Sequence, residues 1–204
     1  MSEEDLKEKA RVSRRDFLKI GGVVAAVPLV SAPRVLHAAG EPVEVHGPYK
    51  AKVTLNINGK AQSAELDTRV TLLDALRDHF GLTGAKRVCD RGACGACTVL
   101  MDDKTVYACS ILAVDAQGRK ITTIEGLYPG ETLDALQQSF VENDAQQCGF
   151  CTPGFVVAAK KYIDDHPQAS EDDFKHGLSG NLCRCGTYKG MQLVAAAVSK
   201  GKGA

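Results

Sequence analysis

Eight cysteines are the residues of this 204-residue chain with the clearest capacity for chemistry. Cysteine thiolates bind zinc and iron, and thiols also pair as disulfides, so their number alone does not identify a role. Four is the number of protein ligands that one structural zinc ion or one [2Fe-2S] cluster takes. Their positions divide them into two groups of four: Cys89, Cys94, Cys97 and Cys109, and then Cys148, Cys151, Cys183 and Cys185.

The first group follows the spacing C-x4-C-x2-C with a fourth cysteine twelve residues later, which is the plant-type [2Fe-2S] arrangement. Ligands this close in sequence reach one small cluster only if the backbone wraps around it. Gly92 and Gly95 lie in this loop and permit the positive φ values and close approach that wrapping requires, so that amide groups can point at the sulfurs. Zinc sites more often pair two C-x2-4-C knuckles. The spacing therefore predicts a [2Fe-2S] cluster.

The second group has a less familiar spacing. It consists of Cys148-Gly149-Phe150-Cys151 and, after thirty-one further residues, Cys183-Arg184-Cys185. On spacing alone, a zinc site fits as well as an iron-sulfur cluster. The C-x-C pair favours iron-sulfur, because it holds two sulfurs close together and suits two bonds to one iron. A zinc- or disulfide-stabilised binding module stays open as an alternative at this point.

The first forty residues have the organisation of an export signal. The segment Ser13-Arg14-Arg15-Asp16-Phe17-Leu18-Lys19 precedes a mostly apolar run over residues 20–36, and small residues follow at 38–40. The paired arginines resemble the twin-arginine class, which exports proteins already folded, often with a metal cofactor inserted. The apolar run is shorter than the ~20 residues of a membrane span and contains prolines, so we expect no stable span. A basic, amphipathic N-terminal helix is the alternative.

Charge and motif content exclude several classes of function. Lys plus Arg and Asp plus Glu both total 25, so no overall basic field points to nucleic acid or to an anionic membrane. No Ser-His-Asp set, paired carboxylate signature or phosphate loop is visible in the sequence. We therefore expect protein partners, no nucleic-acid binding and no catalytic residue in this chain.

The first half of the chain after the signal has the periodicity of strands. Residues 52–58 alternate apolar and polar side chains, and Asn58-Gly59 is a strong hairpin signal. The residues from Thr71 to Asp74 have the pattern of a capping box that opens a helix ending at Gly81. Further strands are expected over residues 98–101, 105–110 and 120–124, with Asp102-Asp103 as a turn and Cys109 on a strand.

From Glu125-Gly126 onward the periodicity becomes helical. We expect one helix capped by Thr132, one capped by Thr152 with Pro153 at its first position, one capped by Ser170, and a fourth over about residues 189–198. The cysteine pairs of the second group then fall at helix starts. Unpaired amides and the positive end of the helix dipole favour an anionic cluster there.

Two longer motifs carry a family resemblance: QCGFCTPG at residues 147–154 and GNLCRCG at residues 180–186, both behind the ferredoxin-type loop. Together they resemble the small subunit of the xanthine oxidase family of molybdenum hydroxylases, over about residues 51–198. The resemblance implies an α+β chain, in which an N-terminal β-grasp ferredoxin-like domain precedes an all-α four-helix domain with a second [2Fe-2S] cluster. It therefore favours iron-sulfur over zinc for the second group.

The resemblance also implies roles for particular residues. In that family the cluster of the helical domain lies nearest the molybdopterin, and the ferredoxin-type cluster lies further out, toward flavin or another acceptor. Electrons would leave the molybdenum through the second cysteine group and continue through the first. Gln147 and Cys148 would face the pterin cofactor of the large subunit.

The expected domains follow from the signal, the motifs and the change in periodicity. They are a twin-arginine signal at residues 1–40, a linker at 41–50, a [2Fe-2S] ferredoxin-like domain at 51–125 and a [2Fe-2S]-binding helical domain at 126–204.

The expected function is that of the electron-transfer subunit of a periplasmic molybdenum-containing aldehyde oxidoreductase, with the substrate site on another subunit. Its expected partners are a large molybdopterin-binding subunit, an FAD-binding medium subunit or a cytochrome as acceptor, and the twin-arginine export machinery. The alternatives are the small subunit of an N-heterocycle hydroxylase of the isoquinoline oxidoreductase type, and a free-standing exported ferredoxin-like carrier.

Overall fold

A five-stranded sheet forms the first half of the molecule. The computed structural model describes residues 49–128, 130 and 133–201, so the expected signal at 1–40 and most of the expected linker lie outside the described residues. The spatial strand order is β2-β1-β5-β3-β4, in which β1 and β5 run parallel and the other neighbours run antiparallel. The strands are β1 (Lys50–Ile57), β2 (Lys60–Asp67), β3 (Thr98–Met101), β4 (Lys104–Tyr107) and β5 (Lys120–Thr122).

Both expected two-residue turns are confirmed. Asn58 and Gly59 connect β1 to β2 with φ values of 52° and 77°, and Asp102 and Asp103 connect β3 to β4 with φ values of 47° and 63°. Two successive positive φ values produce the turn whose twist matches that of the flanking strands, and Asn, Asp and Gly tolerate them best.

A short helix packs across the sheet and supplies much of its core. Helix α1 (Leu72–Asp74) continues as one π-helical turn, Ala75–His79. Thr71 caps α1, because its hydroxyl accepts a hydrogen bond from the Asp74 amide at 3.1 Å. The buried side chains of this core include those of Leu72, Leu73, Leu76, Val53, Leu55, Ile57, Val99 and Ile121.

The expectation that Cys109 lies on a strand is wrong. Strand β4 ends at Tyr107, and Ala108–Ser110 forms a 3-10 turn. At this turn the Ala108 amide donates to the Cys97 carbonyl at 3.3 Å, and the Gly92 amide donates to the Cys109 sulfur at 3.2 Å. The first bond extends the β3–β4 pairing by one residue pair, and the second connects the Cys109 sulfur to the cysteine loop.

The expected strand over residues 120–124 is also shorter, because β5 ends at Thr122. The Thr123 amide donates to the Asn58 side chain at 2.9 Å, and the chain then begins a helix at Ile124.

Helices make up the second half of the molecule. Among the described residues, none of the helices is long and apolar enough to cross a membrane. They bury a second apolar core that includes Leu136, Phe140, Phe155, Phe174 and Val194. The helices are α2 (Ile124–Leu127), α3 (Ala135–Glu142), α4 (Thr152–Asp165), α5 (Glu171–Gly177) and α6 (Tyr188–Gly201).

The helix caps agree only in part with those expected. Ser170 caps α5 in a reciprocal capping box with Asp173, as expected. Thr132 lies outside the described residues, and α3 begins later, where Asp134 forms its capping box. Thr152 is already helical, so the N-cap position of α4 belongs to Cys151. The expected α+β class, with a five-stranded sheet followed by helices, is confirmed.

A three-residue segment at 180–182, the joining loop, ties the helical half to the first cysteine loop. The side-chain amide of Asn181 is buried and donates to the Gly95 carbonyl at 2.9 Å. The next amide, that of Leu182, donates to the Cys94 carbonyl at 2.9 Å. Helix α4 also packs against β3. The two cysteine groups are therefore held in direct contact through their own loops.

Gly95 is expected to tolerate no side chain. Its φ is +70°, and a Cβ there would lie 2.6 Å from Asn181 Nδ2 and 2.7 Å from the Gly180 carbonyl. Gly118 is a matched control, because its φ is +72° and nothing lies within 4 Å of its added Cβ. We expect Gly118→Ala to lower the free energy of unfolding by about 1–2 kcal/mol through backbone strain. Gly95→Ala should lower it by about 1–3 kcal/mol more because of the added steric clash.

Urea denaturation of both variants measures the difference. Equal losses for the two glycines would contradict the tight contact between the joining loop and the cysteine loop.

Candidate iron-sulfur sites

The first cysteine group is gathered around one loop and one turn. Cys89 and Cys94 lie in the loop that precedes β3, Cys97 immediately precedes that strand, and Cys109 lies in the turn after β4. Cys97 and Cys109 are buried, whereas Cys89 and Cys94 are half-buried. The fold therefore brings together all four cysteines that the sequence groups.

The second cysteine group lies between helices. Cys148 and Cys151 precede α4, and Cys183 and Cys185 lie in the loop between α5 and α6. The sulfurs of Cys148 and Cys185 are 3.4 Å apart, and both residues are exposed. Cys151 is half-buried and Cys183 is buried. The structure thus unites the C-x2-C and C-x-C motifs in one site.

Within each group the thiols form two interacting pairs. In the first group the side chains of Cys89 and Cys94 interact, as do those of Cys97 and Cys109. In the second group Cys151 interacts with Cys183, and Cys148 interacts with Cys185. Among the described cysteines all eight are free thiols.

This pairing is the donor arrangement that a [2Fe-2S] cluster requires, because its four thiolates are divided between two irons. In the described part of the chain, no three His, Cys, Asp or Glu side chains are placed to hold a single metal ion. A two-iron cluster instead needs two pairs of sulfurs, and each site provides them. In the second group each pair joins one cysteine of C-x2-C to one of C-x-C, so the structure does not support the expectation that the two C-x-C sulfurs bind the same iron. The residues present therefore fit the group that the sequence predicts.

Backbone amides already point at sulfurs of the first group. The Gly92 amide donates to Cys109 Sγ at 3.2 Å, and the Ala93 amide donates to Cys89 Sγ at 3.3 Å. Gly92 has a φ of +69°, and a Cβ there would lie 2.6 Å from the Ser110 hydroxyl. Such amides stabilise the negative charge that four thiolates bring to a cluster.

Both groups combine thiols whose pKa is lowered with thiols whose pKa is raised. Burial raises the pKa of Cys97 to about 12 and that of Cys151 to about 12. Burial also acts on Cys89, but the amides of Arg91 and Ala93 outweigh it and lower its pKa to about 7. Because iron binds thiolates, cluster insertion must displace protons from the buried thiols.

Cys183 is one of two thiols in the second group whose pKa is lowered; the other is Cys148, where a hydrogen bond from the Phe150 amide lowers the pKa. Burial opposes the ionisation of Cys183, but hydrogen bonds from the hydroxyl and amide of Thr187 outweigh burial and lower its pKa to about 7. The Thr187 hydroxyl lies 3.1 Å from Cys183 Sγ. The amide of Cys183 itself donates to the Tyr188 hydroxyl at 2.8 Å.

A surface cavity of about 490 Å³ lies where the two groups meet. Cys94 of the first group and all four cysteines of the second line it. Its rim carries exposed apolar side chains, among them Val88, Phe150 and Leu182, each about half exposed. Of the predicted cofactor-facing residues, Cys148 lines this cavity, and Gln147 is an exposed neighbour of Cys148 in the chain.

Sequence reasoning missed the polar residues that support the cysteines. Asn181 lies in the GNLCRCG motif, but no neighbouring residue in the sequence indicates that its side chain contacts Gly95. Thr187 and Tyr188 come two and three residues after Cys185. Hydroxyl groups so close to an expected ligand could have suggested the contacts that they make with Cys183. These roles depend on how the loop folds back onto Cys183.

Two family models match adjacent parts of the chain. A 2Fe-2S iron-sulfur cluster binding domain matches residues 55–123, and a [2Fe-2S] binding domain matches residues 123–197. A twin-arginine translocation pathway signal sequence matches residues 11–31. These matches confirm the expectations of iron-sulfur binding in both halves and of a twin-arginine signal.

Related proteins align over most of the chain. The aldehyde oxidoreductase iron-sulfur-binding subunit PaoA of Escherichia coli O157:H7 is 42% identical over 192 residues, covering 87% of this chain and 83% of the relative. A probable xanthine dehydrogenase subunit of Bacillus subtilis is 42% identical over 157 residues, covering 76% of this chain and 90% of the relative.

A solved structure has the same fold at similar identity. A chain of quinoline 2-oxidoreductase from Pseudomonas putida 86 superposes with a TM-score of 0.69 at 41% identity, covering 76% of this chain and 99% of that one. On these alignments, the chain belongs to the family of iron-sulfur subunits of molybdenum hydroxylases that includes those of aldehyde oxidoreductases and xanthine dehydrogenases.

Proposed function

We propose that this chain is the electron-transfer subunit of a periplasmic molybdenum-containing aldehyde oxidoreductase. The observation that carries the proposal is the pairing of eight free thiols in two sites whose loops are in contact. When bound, a [2Fe-2S] cluster supplies one-electron oxidation and reduction. The chain's own residues hold the two sites at a fixed separation and leave one of them open to a partner.

The proposed ligands are the two cysteine groups. The first group is supported by amide hydrogen bonds to its sulfurs, by glycines with positive φ and by the pairing of its sulfurs. The second group is supported by the pairing of its sulfurs and by the contact of Thr187 with Cys183. The ligands would be Cys89, Cys94, Cys97 and Cys109 for one cluster, and Cys148, Cys151, Cys183 and Cys185 for the other.

We further propose the domain layout expected from the sequence. The signal would occupy residues 1–40 and the linker 41–50. A β-grasp ferredoxin-like domain would occupy 51–125, and a four-helix domain carrying the second cluster would occupy 126–204. Two separate apolar cores support this division, one under the sheet and one among the helices.

One hydrogen bond of the joining loop directly reaches a proposed ligand of the first site. The Leu182 amide, one residue before Cys183, donates to the carbonyl of Cys94 at 2.9 Å. Ligand residues of the two sites are therefore linked by a short path of covalent bonds and one hydrogen bond. Such proximity supports the transfer of electrons from the second site to the first.

The exposed side of the second site is the proposed docking face for the large molybdopterin-binding subunit. Cys148, Cys185 and the half-exposed ring of Phe150 line the cavity there, and Gln147, the residue before Cys148, is exposed. Exposed apolar side chains at the rim of a functional cavity are typical of an interface. Gln147 and Cys148 would then face the pterin, and the substrate site would lie on the large subunit.

The first site would pass electrons to an FAD-binding subunit or to a cytochrome. The twin-arginine signal supports export in the folded state, with both clusters loaded beforehand. Fractionation of cells that produce the full chain tests the compartment, and recovery in the cytoplasm alone would refute a periplasmic site of action.

Oxidation of an N-heterocycle is a second candidate activity. It is favoured by the likeness to quinoline 2-oxidoreductase, whose identity to this chain is nearly the same as that of the aldehyde oxidoreductase relative.

Removing one ligand from each group should eliminate one cluster at a time. We expect the reduced wild-type chain to contain about four iron atoms and to give two distinct [2Fe-2S] signals in electron paramagnetic resonance (EPR). Cys97→Ala should abolish one signal and Cys151→Ala the other, because each leaves an iron without a full set of thiolates. Each variant is the control for the other, because each should keep the signal that the other loses. A single signal in the wild type would contradict the proposal.

Phe150 should contribute to binding of the large subunit. Phe150→Asp places a charge on the apolar rim and should weaken co-purification with a molybdenum-containing subunit about tenfold or more, as loss of a buried aromatic contact does. Leu133→Asp is the matched control, because Leu133 is similarly exposed, at 54% against 49%. Both variants should keep two EPR signals. A wild-type chain that purifies alone would support the free-standing carrier instead.

The substrate class can be settled with the purified complex. Aldehyde oxidation should exceed quinoline oxidation when an aromatic aldehyde and quinoline are compared at equal concentration with an artificial electron acceptor. The reverse preference would favour the N-heterocycle candidate and leave the electron-transfer role of this chain intact.

A further inference from the structure

The hydroxyl of Thr187 lies close to one sulfur of the second site. Its Oγ1 atom is 3.1 Å from Cys183 Sγ, well within the range of a hydrogen bond to sulfur. Cys183 is 8% exposed, so water has little access to compete for this sulfur. The contact is therefore between a fixed hydroxyl and a sheltered sulfur.

The direction of this hydrogen bond is fixed once Cys183 binds metal. A metal-bound cysteine is a thiolate and carries no proton, so the sulfur can only accept. The hydroxyl must then donate. Hydrogen bonds to a charged acceptor are roughly twice as strong as those between neutral groups.

The backbone around Thr187 holds the hydroxyl in place. The Thr187 carbonyl accepts from the Met191 amide at 3.2 Å, which anchors the residue at the start of α6. From the other side, the Cys183 amide donates to the Tyr188 hydroxyl at 2.8 Å. The loop from Cys183 to Tyr188 is thus closed by two side-chain contacts, one to the sulfur and one to the amide.

A second hydroxyl offers an internal comparison at the first site. Ser110 Oγ lies 3.8 Å from Cys109 Sγ, near the outer limit for a hydrogen bond to sulfur, and Ser110 is exposed. Distance and solvent both make this contact weaker than that of Thr187. The two sites are therefore supported unequally by side-chain hydroxyls.

We propose that the Thr187 hydroxyl raises the reduction potential of the second cluster. This inference rests on the proposed function, since it requires a [2Fe-2S] cluster on Cys183. Reduction adds one electron, supplied in the cell by the molybdopterin centre of the partner, and makes the thiolate sulfurs more negative. A donor to one of those sulfurs stabilises the reduced state more than the oxidised state, and such hydrogen bonds set cluster potentials.

The test is an EPR-monitored redox titration of the cluster-loaded chain with sodium dithionite as reductant. Thr187→Val keeps the shape of the side chain and removes the donor. It should lower the equilibrium constant for reduction of the second cluster about tenfold, which is ~59 mV for a one-electron couple. Thr187→Ser restores a hydroxyl and should stay within about twofold of the wild type.

Ser110→Ala is the control at the other site and should leave the potential of the second cluster unchanged. The absence of the Cys151-dependent signal in the Cys151→Ala variant identifies which potential belongs to the second cluster. If Thr187→Val does not bind its second cluster, Thr187→Ala takes its place. It removes the same donor and should lower the equilibrium constant for reduction of the second cluster by the same factor.

An unchanged potential in the variant without the hydroxyl overturns the inference while the two clusters remain established. Equal decreases in Thr187→Val and Thr187→Ser also overturn it, because they indicate a change in loop shape and not the loss of a donor. The lack of a second signal in the wild type overturns the proposed function and this inference with it.

Discussion

The hydrogen bonds that the joining loop makes to Cys94 and Gly95 fix the spatial relation between the two halves of the molecule. Asn181 is buried, so its amide needs a partner, and leaving such a group unpaired costs about 1–3 kcal/mol. The Gly95 carbonyl supplies that partner at 2.9 Å. Glycine at position 95 allows this close approach. The contact therefore helps to set the distance between Cys94 and Cys183, which lie on either side of it.

The two cysteine groups differ in their access to the surface. The first group places Cys97 and Cys109 inside the core under the sheet, where apolar neighbours surround them. The second leaves Cys148 and Cys185 exposed beside an apolar rim. An electron carrier between two proteins needs at least one centre close to its surface, and the helical half provides it. The second group is therefore the more accessible of the two from the surface.

Features determined by a few neighbouring residues could be predicted from the sequence. The hairpin turns and the Ser170 cap depend on short-range spacing, whereas the grouping of the second four cysteines across thirty-one residues followed from motif order and the family resemblance. The prediction of a strand through Cys109 was wrong, because the chain forms a 3-10 turn there and the Cys109 sulfur accepts a hydrogen bond from Gly92 in the cysteine loop. The cap at Thr152 was displaced by one residue. The sequence contains no local signal for contacts such as Asn181 with Gly95, and the ligand roles of the cysteines remain predictions.

The exposed sulfurs of Cys148 and Cys185 have a consequence for the order of assembly. They lie 3.4 Å apart, and a small movement would bring them to the ~2.05 Å of a disulfide bond. Compartments outside the cytoplasm are oxidising and promote such bonds. A chain that arrived there without metal would lose two thiols of its second site to oxidation. Maturation in the reducing cytoplasm, before transport, would keep these sulfurs available.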